Sequence, residues 1–346
     1  MVTEHGEVLT VRKRDGSTVS IDAADVVASK PIPTSTRGKP PATGAGLARI
    51  AALGLPAVTV EHLGDWVLQA SEGFTRRANA VVTCGSPGVS NDQAIARVVD
   101  FYAEHRLPPT IQVVVGSPIE QDLKARGWVS VTAEPVAAQI ARVGDLVNRL
   151  RPDQEPGAAG PPAPETGTAL GSVPEIELDV PLDESWLALY GPGTASSNEV
   201  RRVLTGPVSD GAGGSGAVTL ARVLDPHASG TGTQPVPGQP GQPGQPGPTG
   251  SDPTGARPVV AIARASVTGA WLGLSVVVAR SHRRRGLARA ILRRLVDWGV
   301  EHHAGWAYLQ VGMEHEDALG LCQDLGFRTD HTFRYYSPPT PPPRLA

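Results

Sequence analysis

The sequence predicts an α/β protein of the α+β kind, built as two similar halves behind a short β segment. Three observations carry that reading. Short β-branched runs alternate with stretches of helical periodicity along most of the chain. A helix–strand–helix scheme ending in glycine plus an aromatic occurs twice, in "VVDFYAEHRLPPTIQVVVGSPIEQDLKARGW" and in "LVDWGVEHHAGWAYLQVGMEHEDALGLCQDLGF". Of the 33 prolines and 40 glycines, 15 and 12 respectively crowd into Arg151–Pro174 and Asp225–Pro258, which therefore punctuate the fold rather than build it.

The first 35 residues read as a partial β segment. "EVLTVRKRDGSTVSI" alternates and turns on Asp15-Gly16, the signature of a hairpin, and "DVVASKPIP" reads as one further strand. So few strands are marginal alone, so this piece leans on the rest of the protein or begins late. The first half, residues 45–148, opens with a helix around Leu47–Leu53 and strands in "HLGDWVLQAS" and "RRANAVVTCG". A helix Asn91–His105, the strand "TIQVVVG", a helix Ile119–Arg126 and "GWVSVTAEPV" complete it. Residues 149–176 form a disordered linker, too poor in apolar surface to offset the entropy of ordering.

The second half, residues 177–337, reads as a helix in "ESWLALYG", a strand in "GAVTLARVL", and strands Val259–Ser266 and Ala270–Val278. A helix Gly286–His302, a strand Trp306–Val311, a helix Glu316–Leu325 and a strand Arg328–Tyr336 follow. The insert 226–257 falls between two adjacent strands and holds three Gly-Gln-Pro triplets, too few for a collagen helix, so it reads as a disordered loop tip. Residues 338–346 are a Pro-rich tail. Gly127-Trp128 and Gly326-Phe327 are the expected helix C-caps.

Bulk chemistry narrows the function. With 31 basic and 34 acidic side chains and a net charge of −3, the chain has no polycation character, which argues against nucleic acid or an anionic membrane as partner. Cys84 and Cys322 are far apart and show no metal-ligand spacing, so neither a disulfide framework nor a metal site is expected. No apolar run approaches the roughly 18 residues of a membrane span, and no signal-peptide core opens the chain. The sequence reads as soluble and cytoplasmic.

The element that carries chemistry is "SVVVARSHRRRGLARAILRRL", Ser275–Leu295. Val276, Val277 and Val278 read as a buried strand, Arg283–Gly286 as a turn, and Leu287, Ile291, Leu295 and Trp298 as one helix face. A tight strand-to-helix turn leaves unpaired N–H groups, which favour an anion by typically 0.3–1 kcal/mol. Gly286 and Ala288 let phosphate oxygens approach the backbone. Arginine at a helix start opposes the dipole, which points to an anionic partner there. A P-loop string and a G-x-G-x-x-G fingerprint are both absent.

What remains, Arg283, Gly286 and Ala288 as R-x-x-G-x-A, resembles the pyrophosphate-binding motif of the GNAT superfamily of N-acetyltransferases. The resemblance runs from about Trp271 to Tyr336, and includes the "LQV" strand, a helix containing Ala318 and the closing Leu325-Gly326-Phe327. It implies a mixed, mostly antiparallel sheet flanked by helices, in tandem. It implies acetyl-CoA as co-substrate, its pantetheine arm on Val276–Val278 and its pyrophosphate on the amides of Arg284, Arg285, Gly286, Leu287, Ala288 and Arg289. More narrowly, the chain resembles an actinobacterial GNAT group with an SH3-like barrel first, here represented by "TVRKRDGSTVSIDAADVVASKPIP", and a degenerate first half. Members are often described as histone-acetyltransferase-like, a label that names no substrate for this chain.

The sequence departs from the superfamily where an Asn usually contacts the cofactor and a Tyr, seven residues on, protonates the leaving thiolate. His315 and Cys322 stand there. His315 reads as a cofactor contact or an exposed loop residue. Cys322 reads as a weak acid or a small apolar residue on the packed face. A thiol near pKa 8.5 leaves readily, so a missing acid costs little, but deprotonating a lysine-like amine at pH 7 costs roughly 4–5 kcal/mol. Val259–Val278 holds no carboxylate; Glu314 and Glu316 are the nearest. The reading is an acetyl-CoA-dependent N-acetyltransferase acting on a primary amine, small molecule or protein, by direct transfer in a ternary complex, with no metal. Its rivals are a non-catalytic acyl-CoA-binding regulator and a nucleic-acid module using Arg283–Arg285. The first-half counterpart of the arginine-glycine turn, taken as Thr75–Asn79, lacks the glycine and should hold no second pyrophosphate.

Overall fold

The computed structural model describes residues 2–5, 8–12, 18–22, 39–151, 174–191, 197–208, 215–225 and 257–339. The Asp15-Gly16 turn, the strand expected in "DVVASKPIP", and most of the linker, insert and tail lie outside them. The ends of the linker expected to be disordered are ordered, Arg149 and Leu150 closing a helix and Ile176 opening a strand. Strands β1 (Val2–His5), β2 (Val8–Arg12) and β3 (Thr18–Asp22) pair antiparallel as a separate three-stranded sheet. The β2–β3 ladder closes at Arg12–Thr18, on either side of the expected hairpin turn.

The first half begins with α1 (Ala45–Gly54), then β4 (Thr59–Leu63) and β5 (Trp66–Ala70). "HLGDWVLQAS" is thus not one strand but the turn and second arm of a hairpin. Leu63 pairs with Trp66, and Gly64 takes a left-handed φ of 55° to make the tight turn. "RRANAVVTCG" likewise divides into a 3-10 turn, Arg76–Ala78, and the short β6 (Val81–Val82). Then come α2 (Asn91–Glu104), β7 (Ile111–Val114), α3 (Pro118–Ala125) and β8 (Val129–Ser130). Two elements the sequence pattern missed follow, β9 (Val136–Arg142) and α4 (Val143–Leu150).

The second half has β10 (Ile176–Leu178), α5 (Glu184–Tyr190), α6 (Asn198–Thr205), β11 (Ala217–Leu224) and β12 (Val259–Thr268). It continues with β13 (Trp271–Val278), α7 (Leu287–Glu301), β14 (Trp306–Gly312), α8 (Glu316–Asp324) and β15 (Arg328–Ser337). β11 and β12 pair antiparallel, and Asp225 N–H donates to Pro258 O at 2.9 Å, so the insert does join sheet neighbours. Both expected C-caps form. Gly127 and Gly326 are left-handed, and Trp128 and Phe327 return N–H bonds to Leu123 and Cys322 at 3.0 and 2.9 Å.

The two halves share one sheet, ordered β10-β11-β12-β13-β14-β9-β15-β7-β6-β5-β4, with β8 beside β15. Among the described pairs only β6–β7 and β13–β14 are parallel. β9 lies between β14 and β15, antiparallel to both, so a strand from before the linker completes the sheet after it. On one face, Ala261, Ala263, Ala265 and Val267 of β12 pack with Leu146 and Leu150 of α4 and with Leu287, Ile291, Leu295 and Trp298 of α7. The other face of this half carries α1, α5 and α6, with Trp186, Leu187, Val200 and Leu204 against Leu220 and Ile262. Phe101, Tyr102 and Leu123 of α2 and α3 cover β5 and β7.

Candidate functional site

The site begins where two strands separate. β13 and β14 pair at Trp271–Trp306, Leu272–Ala307 and Gly273–Tyr308, and there the ladder stops, although the strands run on to Val278 and Gly312. β13 stays paired with β12 as far as Val278, so its free edge is the one that faces β14. Along that edge Val276, Val277 and Val278 are half-buried. Backbone groups left free in such a wedge are available to an extended ligand chain.

β13 then leads through a 3-10 turn, Arg280–His282, to α7. The N-cap of α7 is Gly286, left-handed at φ 77°; no side chain caps the helix, and its first turn holds no acidic residue. Arg284 is left-handed as well, at φ 62°. Such alternations turn successive N–H groups toward one concavity, which suits an anion. Arg283, Arg284, Arg285, Gly286 and Arg289 are exposed, Ala288 half-buried, and Leu287 anchors the helix in the core. Arg283 Nε lies 3.4 Å from Val278 O, and Arg284 pairs with Asp317 of α8 at 3.0 Å. With both partners more than three-quarters exposed, that pair is worth 0–1 kcal/mol and is readily exchanged for a phosphate.

The structure separates the two other residues singled out from the sequence. His315 sits exposed at the start of α8, its Nε2 3.6 Å from Glu314 Oε1, beyond the open end of β14. Cys322 points into the core with Leu325 and Phe327, and burial pushes its thiol up to about 11. A thiol so hard to ionise, packed among apolar side chains, is a poor proton donor. Cys84 is also free and buried, so no disulfide forms.

A polar recess lies on the sheet face away from α7. Its floor is formed by Arg264 and Ser266 of β12, Gly273 and Ser275 of β13, and Tyr308 and Gln310 of β14. Its walls come from Gly54 and Leu55 at the end of α1, from Tyr190 and Leu204, and from Arg77 of the first half. A Cβ at Gly54 or Gly273 would overlap the Tyr308 hydroxyl, so these glycines make the space it occupies. Burial holds that hydroxyl above the ordinary tyrosine range, opposed by the Arg264 guanidinium and by a hydrogen bond with Ser266. Sequence reading passed over Arg264 and Tyr308. The signal for Arg264 was present: it is the single charged residue in "VVAIARASVTGAWLGLSVVV". Among the described residues, no three His, Cys, Asp or Glu side chains gather as a metal site.

A mixed sheet that opens between two parallel strands, beside an uncapped helix start, is the expected GNAT architecture, and comparison bears out the class. A solved structure titled a GCN5-related N-acetyltransferase from Kribbella flavida is similar, with TM-score 0.51 and 16% identity, covering 86% of this chain and 96% of its own. Another, titled a tandem GNAT protein from the clavulanic acid biosynthesis pathway, gives TM-score 0.46 and 13% identity, over 89% of this chain and 92% of its own. The chain belongs to the family described as "Probable histone acetyltransferase Rv0428c C-terminal", whose model matches residues 45–156 and 191–336. No curated protein sequence matches it. None of the described helices is long and apolar enough to cross a membrane.

Proposed function

We propose that the protein transfers the acetyl group of acetyl-CoA to a primary amine by direct attack in a ternary complex. The observation that carries this is the parting of β13 and β14 beyond Gly273 and Tyr308, with β13 continuing into the uncapped start of α7. Val276, Val277 and Val278 would hold the pantetheine arm through their backbone. The amides from Arg284 to Arg289 would hold the pyrophosphate, with Arg283, Arg284 and Arg285 adding charge and His315 meeting the cofactor's outer end. The helix start favours such an anion by roughly 0.3–1 kcal/mol before any arginine is counted.

In the reaction the amine nitrogen bonds to the thioester carbon, the C–S bond breaks, the amine gives up one proton and the thiolate gains one. The protein's part is to orient amine and thioester and to place donors near developing negative charge. Tyr308 is the buried hydroxyl beside the point where the strands part and serves as such a donor. Among the described residues no carboxylate lines the recess, whereas Arg77 and Arg264 do. Nearby positive charge disfavours an ammonium, so this recess helps the amine to shed its proton to water.

The test is a panel of amines with free-thiol release as readout, together with acetyl-CoA titration by calorimetry. Turnover of at least one amine is expected. Tight acetyl-CoA binding without turnover of any amine would instead establish a non-catalytic acyl-CoA-binding protein.

A further inference from the structure

Arg264 sits in the middle of β12, 7% exposed, between buried neighbours. Its Nε donates to Leu204 O at 2.9 Å, and its Nη2 has no partner among the described residues. Among the described residues the recess it floors contains no Asp or Glu, and the second cation there, Arg77, adds like charge. Buried charges are ordinarily paired, because taking one out of water costs several kcal/mol. Burial lowers the Arg264 pKa only to about 10, so the guanidinium is still charged at pH 7. Propping one carbonyl needs a single neutral donor; it does not need a cation.

Resting on the acetyltransferase reading, we propose that the amine acceptor carries a carboxylate, held in this recess by the buried guanidinium of Arg264. The cofactor's phosphates are not the missing anion. Strand alternation puts Arg264 with Ile262 and Ser266, opposite the Ala263 and Ala265 face that packs on α7, where the pyrophosphate belongs. Apart from Arg264 itself and the exposed Arg77, the polar lining among the described residues is neutral, namely Ser266, Ser275, Tyr190, Tyr308 and Gln310, so a monoanion balances the one buried charge. A guanidinium edge also fits a carboxylate in two parallel hydrogen bonds. Because Gly273 and Tyr308 belong both to the recess and to the last pair before the strands part, an amine a few bonds from the carboxylate reaches the thioester.

The experiment uses the full chain and matched acceptors: amino acids, their amides, the amines lacking the carboxyl group, and phosphoethanolamine. Thiol release is measured for each, and binding of the N-acetylated amino acids and their amides is measured by calorimetry without turnover. Carboxylate acceptors should exceed their amides about 10- to 100-fold in kcat/KM, the worth of a charge-assisted hydrogen bond. Arg264→Gln should remove that discrimination and leave acetyl-CoA affinity unchanged, while Arg264→Lys should keep part of it. Equal use of amides, preference for the phosphate, or discrimination that survives in Arg264→Gln overturns the proposal. If Arg264→Gln does not fold, the wild-type ratio and Arg264→Lys decide. Thiol release from no acceptor refutes the enzyme reading, and binding then settles the site separately. N-acetyl amino acids binding more tightly than their amides retains the carboxylate site; no binding, or no difference, removes it.

Discussion

The chain makes the same crossover twice. β6 leads through α2 to its parallel neighbour β7, and β13 leads through α7 to its parallel neighbour β14. The helix starts differ in chemistry. At α2, Ser90 Oγ accepts from Gln93 N–H at 3.3 Å, Gln93 Oε1 accepts from Ser90 N–H at 3.2 Å, and Asp92 adds negative charge to the first turn. That capping box satisfies the donors an anion would need. At α7 a left-handed glycine replaces the serine and the donors stay open. The strands differ too: Thr83 extends the first ladder through its bond to Gln112 O, at 3.4 Å, whereas the second ladder stops at Gly273–Tyr308.

The comparison corrects the expectation that Thr75–Asn79 is the first-half counterpart of the arginine-glycine turn. By connectivity the counterpart is the segment between β6 and α2, closed by Ser90. Thr75–Asn79 is instead a turn held by Asn79, whose Oδ1 accepts from Ser71 and Gly73 N–H and whose Nδ2 donates to Phe74 and Thr75 carbonyls. One of its arginines, Arg77, lines the recess of the other half. A duplicated crossover therefore keeps its geometry while one copy's helix start is sealed and its neighbouring loop is turned to shaping the second copy's site.

The strongest way to break the comparison is to separate the copies. Residues 174–346 expressed alone retain the open crossover but lack β9 and α4, which lie between β14 and β15 and against α7. No cooperative thermal transition is expected by circular dichroism. A melting temperature close to that of the full chain would show the second half to be independent.

Next, Gly286→Glu should weaken acetyl-CoA binding at least about 100-fold by calorimetry. It fills the concavity, adds like charge worth about 1 kcal/mol against phosphate even when solvent-screened, and strains a left-handed position. Unchanged affinity would remove the pyrophosphate assignment. Tyr308→Phe should lower kcat on the order of 10-fold with acetyl-CoA affinity retained, since one donor to developing charge is lost; an unaltered kcat makes the hydroxyl purely structural. The mildest change, Ser90→Ala, should cost about 1 kcal/mol in urea unfolding and leave cofactor affinity untouched. A change in affinity there would mean that α2, too, faces the cofactor.

Legibility from the sequence followed the locality of the signal. The arginine-glycine turn, the Gly-aromatic caps and the amphipathic α2 and α7 lie within a few residues of their own determinants, and each forms where expected. β9 was invisible because Ala137, Ala138 and Ala141 are poor strand formers; only burial between β14 and β15 makes them a strand. α4 follows it directly and takes its helical face from packing on α7. Cys322 was open between two roles until its neighbours were known.

By itself, then, the sequence determined the fold class, the acetyltransferase resemblance and the uncapped start of α7, because those rest on short-range backbone chemistry: an uncapped helix, a left-handed glycine, periodic apolar faces. The tertiary structure alone decided which strand completes the sheet, that Cys322 belongs to the core, and that Arg77, Arg264 and Tyr308 share one recess. Those three residues lie on separate elements from both halves, and their charge and hydroxyl acquire meaning only when strand pairing brings them out of water together.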